Sequence, residues 1–137
     1  SRELIMTRRR TKRSRNRSGT AIVELAVCLP AIVLLVLGSM EACTMVFVRQ
    51  SLHISAYEGI RTAIKPEGTA ADAIARANQI LDERRVRNAN VQFVPTFSDE
   101  PGTPLTLRIS APAVDNSVMP LQFFGGDLES QVTMVKE

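Results

Sequence analysis

The chain has 137 residues, a formal net charge of +3, 45% hydrophobic side chains, one histidine and two cysteines. Length allows one small folded domain beside any tail or membrane span. So few histidines and cysteines exclude a His/Cys metal centre and a disulfide-stapled scaffold. The modest charge hides a split, because residues 1–19 carry +7 and the remainder −4. A basic head before an apolar run is the positive-inside arrangement and predicts a cytoplasmic N-terminus. Nucleic-acid binding is the other reading of a basic run. The run has no interleaved aromatics and no folded module beside it, so no nucleic-acid partner is expected.

Residues 1–19 are expected to be an unstructured basic cytoplasmic leader, with Arg, Ser and Thr and no apolar period. The sequence begins Ser1-Arg2-Glu3, and Met6 is a candidate start of translation. From Thr20 the composition changes. Leu25 to Met40 holds no charged residue, and Glu24 and Glu41 are the only carboxylates between Ala21 and Val48. About 20 apolar residues suffice for a helix to cross a ~30 Å hydrocarbon core. A helix also satisfies its own backbone there, as lipid requires. Residues 20–48 are therefore expected to form a transmembrane helix in contact with membrane lipid. Thr20 to Glu41 measures ~32 Å along the axis, which brings Glu41 to the outer interface. Pro30 removes one hydrogen bond and is expected to bend the axis locally. Cys28 and Cys43 would lie ~22 Å apart on such a helix, too far for an intrachain disulfide.

Nothing stops the helix at the interface. Leu52, Ala56, Ile60 and Ala63–Ile64 continue an apolar stripe at spacings of three and four, with Arg49, His53, Glu58 and Arg61 as polar surface. Gly59 is costly in mid-helix and suggests close packing. Lys65-Pro66-Glu67-Gly68 ends the element. Thr69-Ala70-Ala71-Asp72 is a variant capping box, and a second helix is expected to about Arg87, with Ala73, Ile74, Ala77, Ile80 and Leu81 buried and Asn88 as terminator. The period then changes to two. Val91-Phe93-Pro95, Leu105-Leu107-Ile109 and Leu128-Ser130-Val132-Met134 each alternate with their neighbours and predict three short strands. Pro101, Gly102 and Pro104 mark the first connection. Pro112 to Gly126 is the second, with Phe123–Phe124 expected to plug the core. Three strands with one apolar face need the helices to cover them. The expectation is an α+β fold, with residues 49–137 forming an extracytoplasmic domain against the outer half of the long helix.

No catalytic constellation emerges. The chain lacks GxSxG, HExxH, a phosphate-cradling glycine loop and any metal-ligand spacing. His53 falls on a polar helix face, and Asp82-Glu83-Arg84-Arg85 reads as a solvated one. Neither catalytic, cofactor-binding nor metal residues are expected, and the protein is not expected to be an enzyme. The informative group is Gly19–Glu24. A charge at the bilayer centre costs roughly 2.5–3.5 kcal/mol even on lenient scales, so Glu24 either sits in the headgroup zone or has a partner. Cleavage after Gly19 would create an α-amine on Thr20, which a glutamate five positions in could neutralise on a neighbouring helix.

A basic leader, Gly19, and a hydrophobic helix with Glu24 at the fifth position after it resemble the class III signal of type IV prepilins and pseudopilins. The wider stretch Arg17-Ser18-Gly19-Thr20-Ala21-Ile22-Val23-Glu24-Leu25-Ala26 continues with Leu29-Pro30, Gly38, Glu41, Val48-Arg49-Gln50-Ser51-Leu52 and Ala56-Tyr57-Glu58-Gly59-Ile60-Arg61. Together these resemble the TadE-like family of tight-adherence (Tad/Flp) pilus proteins. Thr20 replaces the Phe or Met usual after the cut in ordinary type IV pilins, and Leu25 follows Glu24 where Flp pilins carry tyrosine and TadE-like proteins usually phenylalanine; both departures favour a pseudopilin over a major pilin. The resemblance implies a pilin-like fold and cutting between Gly19 and Thr20 by a prepilin peptidase. It also implies subunit assembly through Glu24 and Glu41, and, as partners, other pilin or pseudopilin subunits and the Tad inner-membrane assembly proteins. The implied place is the bacterial inner membrane, single-pass, with the C-terminus extracytoplasmic. A second reading, from the residues alone, is a membrane-anchored extracytoplasmic binding or sensor module.

Overall fold

The computed structural model describes residues 15–119 and 124–137, with side chains from Ser18 onward. The expected leader lies almost wholly outside them. By internal contacts the chain falls into two compact units, Ser1–Leu37 and Gly38–Glu137.

One helix, α1 (Arg15–Ala63), runs through the apolar segment and its amphipathic continuation, with Pro30 inside it. It starts five residues before Thr20 and otherwise matches the expected element. In the first unit the described side chains are almost all exposed, including Ile22, Leu25, Leu29 and Leu35. In the second unit the same helix has a buried face. Leu52, Ala56, Ile60 and Ala63 are fully buried there, and Glu41, Met45 and Val48 extend that face toward the N-terminus. Ser51 and Ser55 are also fully buried, and each hydroxyl donates at 2.8 Å to the carbonyl four residues back. A small side chain that satisfies itself in this way lets a neighbouring element come close.

Helix α2 (Ala70–Glu83) begins where the capping box predicts. The Thr69 hydroxyl accepts from the Asp72 N–H at 3.1 Å and donates to the Asp72 carboxylate at 2.7 Å. Its C-terminus corrects the expected boundary by four residues. Val86 N–H returns to the Leu81 carbonyl and Arg85 N–H to that of Asp82, with Arg85 at φ 56°. This is a Schellman closure with arginine in the left-handed position that glycine usually fills. Val86 and Leu81 are both in the core, as the motif's hydrophobic contact requires.

Three strands follow, β1 (Asn90–Phe93), β2 (Pro104–Pro112) and β3 (Asp127–Val135), in an antiparallel meander of order β1-β2-β3. Pro95 falls outside β1, which ends at Phe93. In the register, Leu107 faces Phe93 on one side and Val132 on the other, while Ile109 faces Val91 and Ser130. Leu105, Leu107, Ile109 and Ala111 point inward and are buried. Gly59 marks where the layers come closest. A Cβ there would stand 2.7 Å from Leu107 Cδ2, 3.1 Å from the Ala73 carbonyl oxygen and 3.2 Å from Ala77 Cβ. The second connection holds a one-turn helix, α3 (Ala113–Asn116), that its sequence does not announce. Phe124 is 44% exposed and so does not plug the core. Phe123 lies outside the described residues.

Candidate functional site

Gly19, Thr20 and Glu24 are all exposed on α1, inside its first unit. A Cβ at Gly19 would meet nothing within 4 Å. The Gly19–Thr20 bond is helical and both residues are exposed, and a protease that needs extended backbone has to unwind a turn to reach it. Glycine lowers that cost by about 1 kcal/mol relative to alanine. Glu24 stands among exposed Ile22, Val23 and Leu25, so its carboxylate is held by α1 alone on an apolar surface.

Glu41 is placed differently. It is 1% exposed in the second unit, where the Ser117 hydroxyl donates to its Oε1 and the Val118 N–H to its Oε2 at 3.2 Å. Both carboxylate oxygens are engaged within the chain. Glu41 thereby ties the corner after α3 to α1, and of the two expected assembly carboxylates Glu24 alone is exposed.

The far end of α1 carries a group that sequence reasoning missed. The Lys136 side chain is 1% exposed, and its ammonium donates to the carbonyls of Ala63 at 3.1 Å and of Lys65 and Gly68 at 3.0 Å. All three donors are used on the C-terminal turn of α1 and the loop behind it. A cation there also meets the negative end of the helix dipole. Asp99 Oδ1 approaches at 3.1 Å and the Phe97 ring centroid at 5.5 Å. Glu137 N–H adds a bond to the Ile64 carbonyl at 2.9 Å. The only signal in the sequence was a lysine at the end of a strand, which ordinarily reads as surface.

His53 is exposed, with Nδ1 3.2 Å from Ser130 Oγ on β3. Among the described residues no group of His, Cys, Asp and Glu side chains is placed to hold a metal ion. The geometry offers chemistry of contact, through an apolar helix long enough to cross a membrane. None of its most apolar 18-residue window is buried. Residues 19–61 match the model of the TadE-like protein family. The match covers about a third of the chain and shows a TadE-like segment there. No curated protein and no solved structure matches the chain.

The TadE-like segment covers the exposed apolar half of α1 and most of its buried amphipathic half, and it contains Gly19, Glu24, Gly38, Glu41 and Gly59. It ties the protein to Tad pilus systems, as a structural family, and the exposed apolar helix agrees with membrane anchoring. Helix α2, the sheet and the Lys136 clamp all lie beyond the matched TadE-like residues.

Proposed function

We propose that this chain is a TadE-like minor pilin or pseudopilin, a structural subunit in assembly of a Tad/Flp-type pilus or a related secretion apparatus. It resides in the inner membrane with Thr20 near the cytoplasmic face, and prepilin peptidase cuts after Gly19. One observation carries this reading: Glu24 is exposed on the apolar half of α1, whose most apolar window has no buried residue among the described ones. A carboxylate in that setting is costly alone, and pairing it with a cation recovers much of the cost. The Thr20 amine liberated by cleavage supplies that cation on a neighbouring subunit. The pair then fixes the axial register of two parallel helices, with Gly38 and Ser39 on the same helix to permit close approach.

Glu24→Ala tests this. The variant is expected to insert and to be processed as the wild type, with Thr20 as the first residue on N-terminal sequencing. It is expected to lose crosslinking to pilin partners and to lower piliation. A permanently anchored binding module would not register the change, since removing a charge from an apolar helix eases insertion. Unchanged crosslinking and piliation would leave Glu24 as an interfacial carboxylate and favour that module.

A further inference from the structure

The second unit has a cleft of about 950 Å³ beside α1, lined by Thr44, Phe47 and Val48 on one side. These residues come four to eight positions after Met40, or ~6–12 Å farther along the helix axis. The polar layer outside a ~30 Å hydrocarbon core is about 5–8 Å thick on each side. With Thr20 to Met40 spanning the core, the near end of the cleft, at Thr44, falls at headgroup depth.

Its other walls come from the turn after α2 and the corner after α3. The turn contributes Arg84, Arg85 and Arg87, and the corner contributes Val118, which is 62% exposed. Arg84 lies over the Phe47 ring, 6.0 Å from its centroid. No ion pair engages any of the three arginines among the described residues. Two acidic residues also line the cleft, and each has a partner: Glu83 accepts from Gln79 at 3.0 Å and Asp115 from Asn88 at 2.8 Å. The turn and the corner are locked together, since Asn116 accepts from the Arg87 N–H at 2.7 Å and donates to the Arg87 carbonyl at 3.0 Å. Glu41 pins the same corner to α1 through Ser117 and Val118. The arginines and Val118 are thus held at a fixed height on the helix.

We infer that this cleft seats the phosphate of a membrane lipid headgroup on Arg84, Arg85 and Arg87, with Val118 dipping into the acyl boundary. Guanidinium groups recognise phosphate oxygens in bidentate fashion, and an apolar side chain beside basic ones is the composition of a surface that lies on a bilayer. The inference rests on α1 spanning the membrane and adds a second attachment, which fixes the tilt and rotation of the folded unit on the membrane surface.

The chain has no tryptophan, so one introduced residue reports its own surroundings. Full-length Val118→Trp, Val135→Trp and Leu34→Trp are reconstituted in vesicles of phosphatidylcholine and phosphatidylglycerol, with and without lipid brominated near the acyl carbonyl. Val135 is 56% exposed and precedes Lys136, at the opposite end of the buried face of α1 from Glu41. Tryptophan at 118 is expected to be quenched at least about threefold more than at 135, as for a side chain in the headgroup–acyl boundary. Adding Arg85→Gln and Arg87→Gln to Val118→Trp is expected to cut that quenching by about half in anionic vesicles, and to remove its salt dependence. Free inorganic phosphate is expected to leave the quenching in place, and its abolition by phosphate would reassign the cleft to a soluble anion. Equal quenching at 118 and 135 overturns the inference. If deep-brominated lipid quenches Leu34→Trp while position 118 stays aqueous, the span stands and the lipid cleft alone falls. If Leu34→Trp is also unquenched, both fall.

Discussion

At the scale of single residues, the second unit depends on a few atoms in places where no substitute fits. Lys136 delivers three charge-assisted bonds, to the Ala63 carbonyl at the end of α1 and to the Lys65 and Gly68 carbonyls in the loop behind it. Hydrogen bonds to charged groups contribute about 1.5–3 kcal/mol each before desolvation of the ammonium is deducted. Lys136→Met keeps the aliphatic stem and removes all three bonds, so it is expected to lower unfolding stability by about 2–4 kcal/mol in a urea titration. Asp99→Asn serves as the control. Its carboxylate side is 80% exposed, so the change is expected to cost under about 1 kcal/mol. Gly59 is the second such place. Alanine would improve helix propensity by about 1 kcal/mol, but its Cβ would press on fully buried Leu107 and on the Ala73 carbonyl of α2. Overpacking of this kind costs about 1–3 kcal/mol. Gly59→Ala is expected to lower the thermal midpoint in spite of the propensity gain, and Gly59→Val to lower it further.

Elements were legible in the sequence to the degree that their signals were local. The apolar run, the stripe Leu52-Ala56-Ile60-Ala63, the capping box at Thr69 and the alternation of Leu105-Leu107-Ile109 each specify an element through period or turn chemistry, and each element formed. The α2 C-terminus was not legible, because a Schellman closure normally advertises itself with glycine and here arginine takes the left-handed residue. The α3 turn was hidden for a related reason. It is held by Asn116 and Glu41 across 29 and 76 residues of sequence, and no local pattern encodes such partners. The candidate site divides the same way. The exposure of Gly19, Thr20 and Glu24 follows from the apolar span they sit on, whereas the role of Lys136 and the intrachain engagement of Glu41 came only from tertiary placement. Arg85 supplies a test at this scale. A side chain at φ 56° costs roughly 1 kcal/mol that glycine avoids. Arg85→Gly is expected to raise the thermal midpoint by a few degrees while leaving the helix content unchanged by circular dichroism. A lower midpoint would mean that the guanidinium holds more of the α2 turn than its backbone geometry shows.

The molecule as a whole is built on one continuous helix that changes its surroundings along its length. From Ser18 to Val36 its side chains are exposed and mostly apolar; after Gly38 one face is buried under α2 and the sheet. Such a helix needs two solvents, and the charge distribution predicts which side each end faces. The +7 of residues 1–19 precedes the span, and the remaining −4 follows it. Translocating the basic end would carry eight cations through the bilayer, so the N-terminus is expected to stay cytoplasmic. Single-cysteine variants check this in a background of Cys28→Ser and Cys43→Ser, both exposed positions without a disulfide. Glu67→Cys, on the exposed loop behind α1, is expected to react with a membrane-impermeant maleimide in intact spheroplasts. Thr7→Cys, within the basic head, is expected to react only after lysis, read on the uncut protein in cells that lack the prepilin peptidase. The reverse pattern would put the folded unit in the cytoplasm, where neither a surface pilus nor the outward lipid leaflet could meet it.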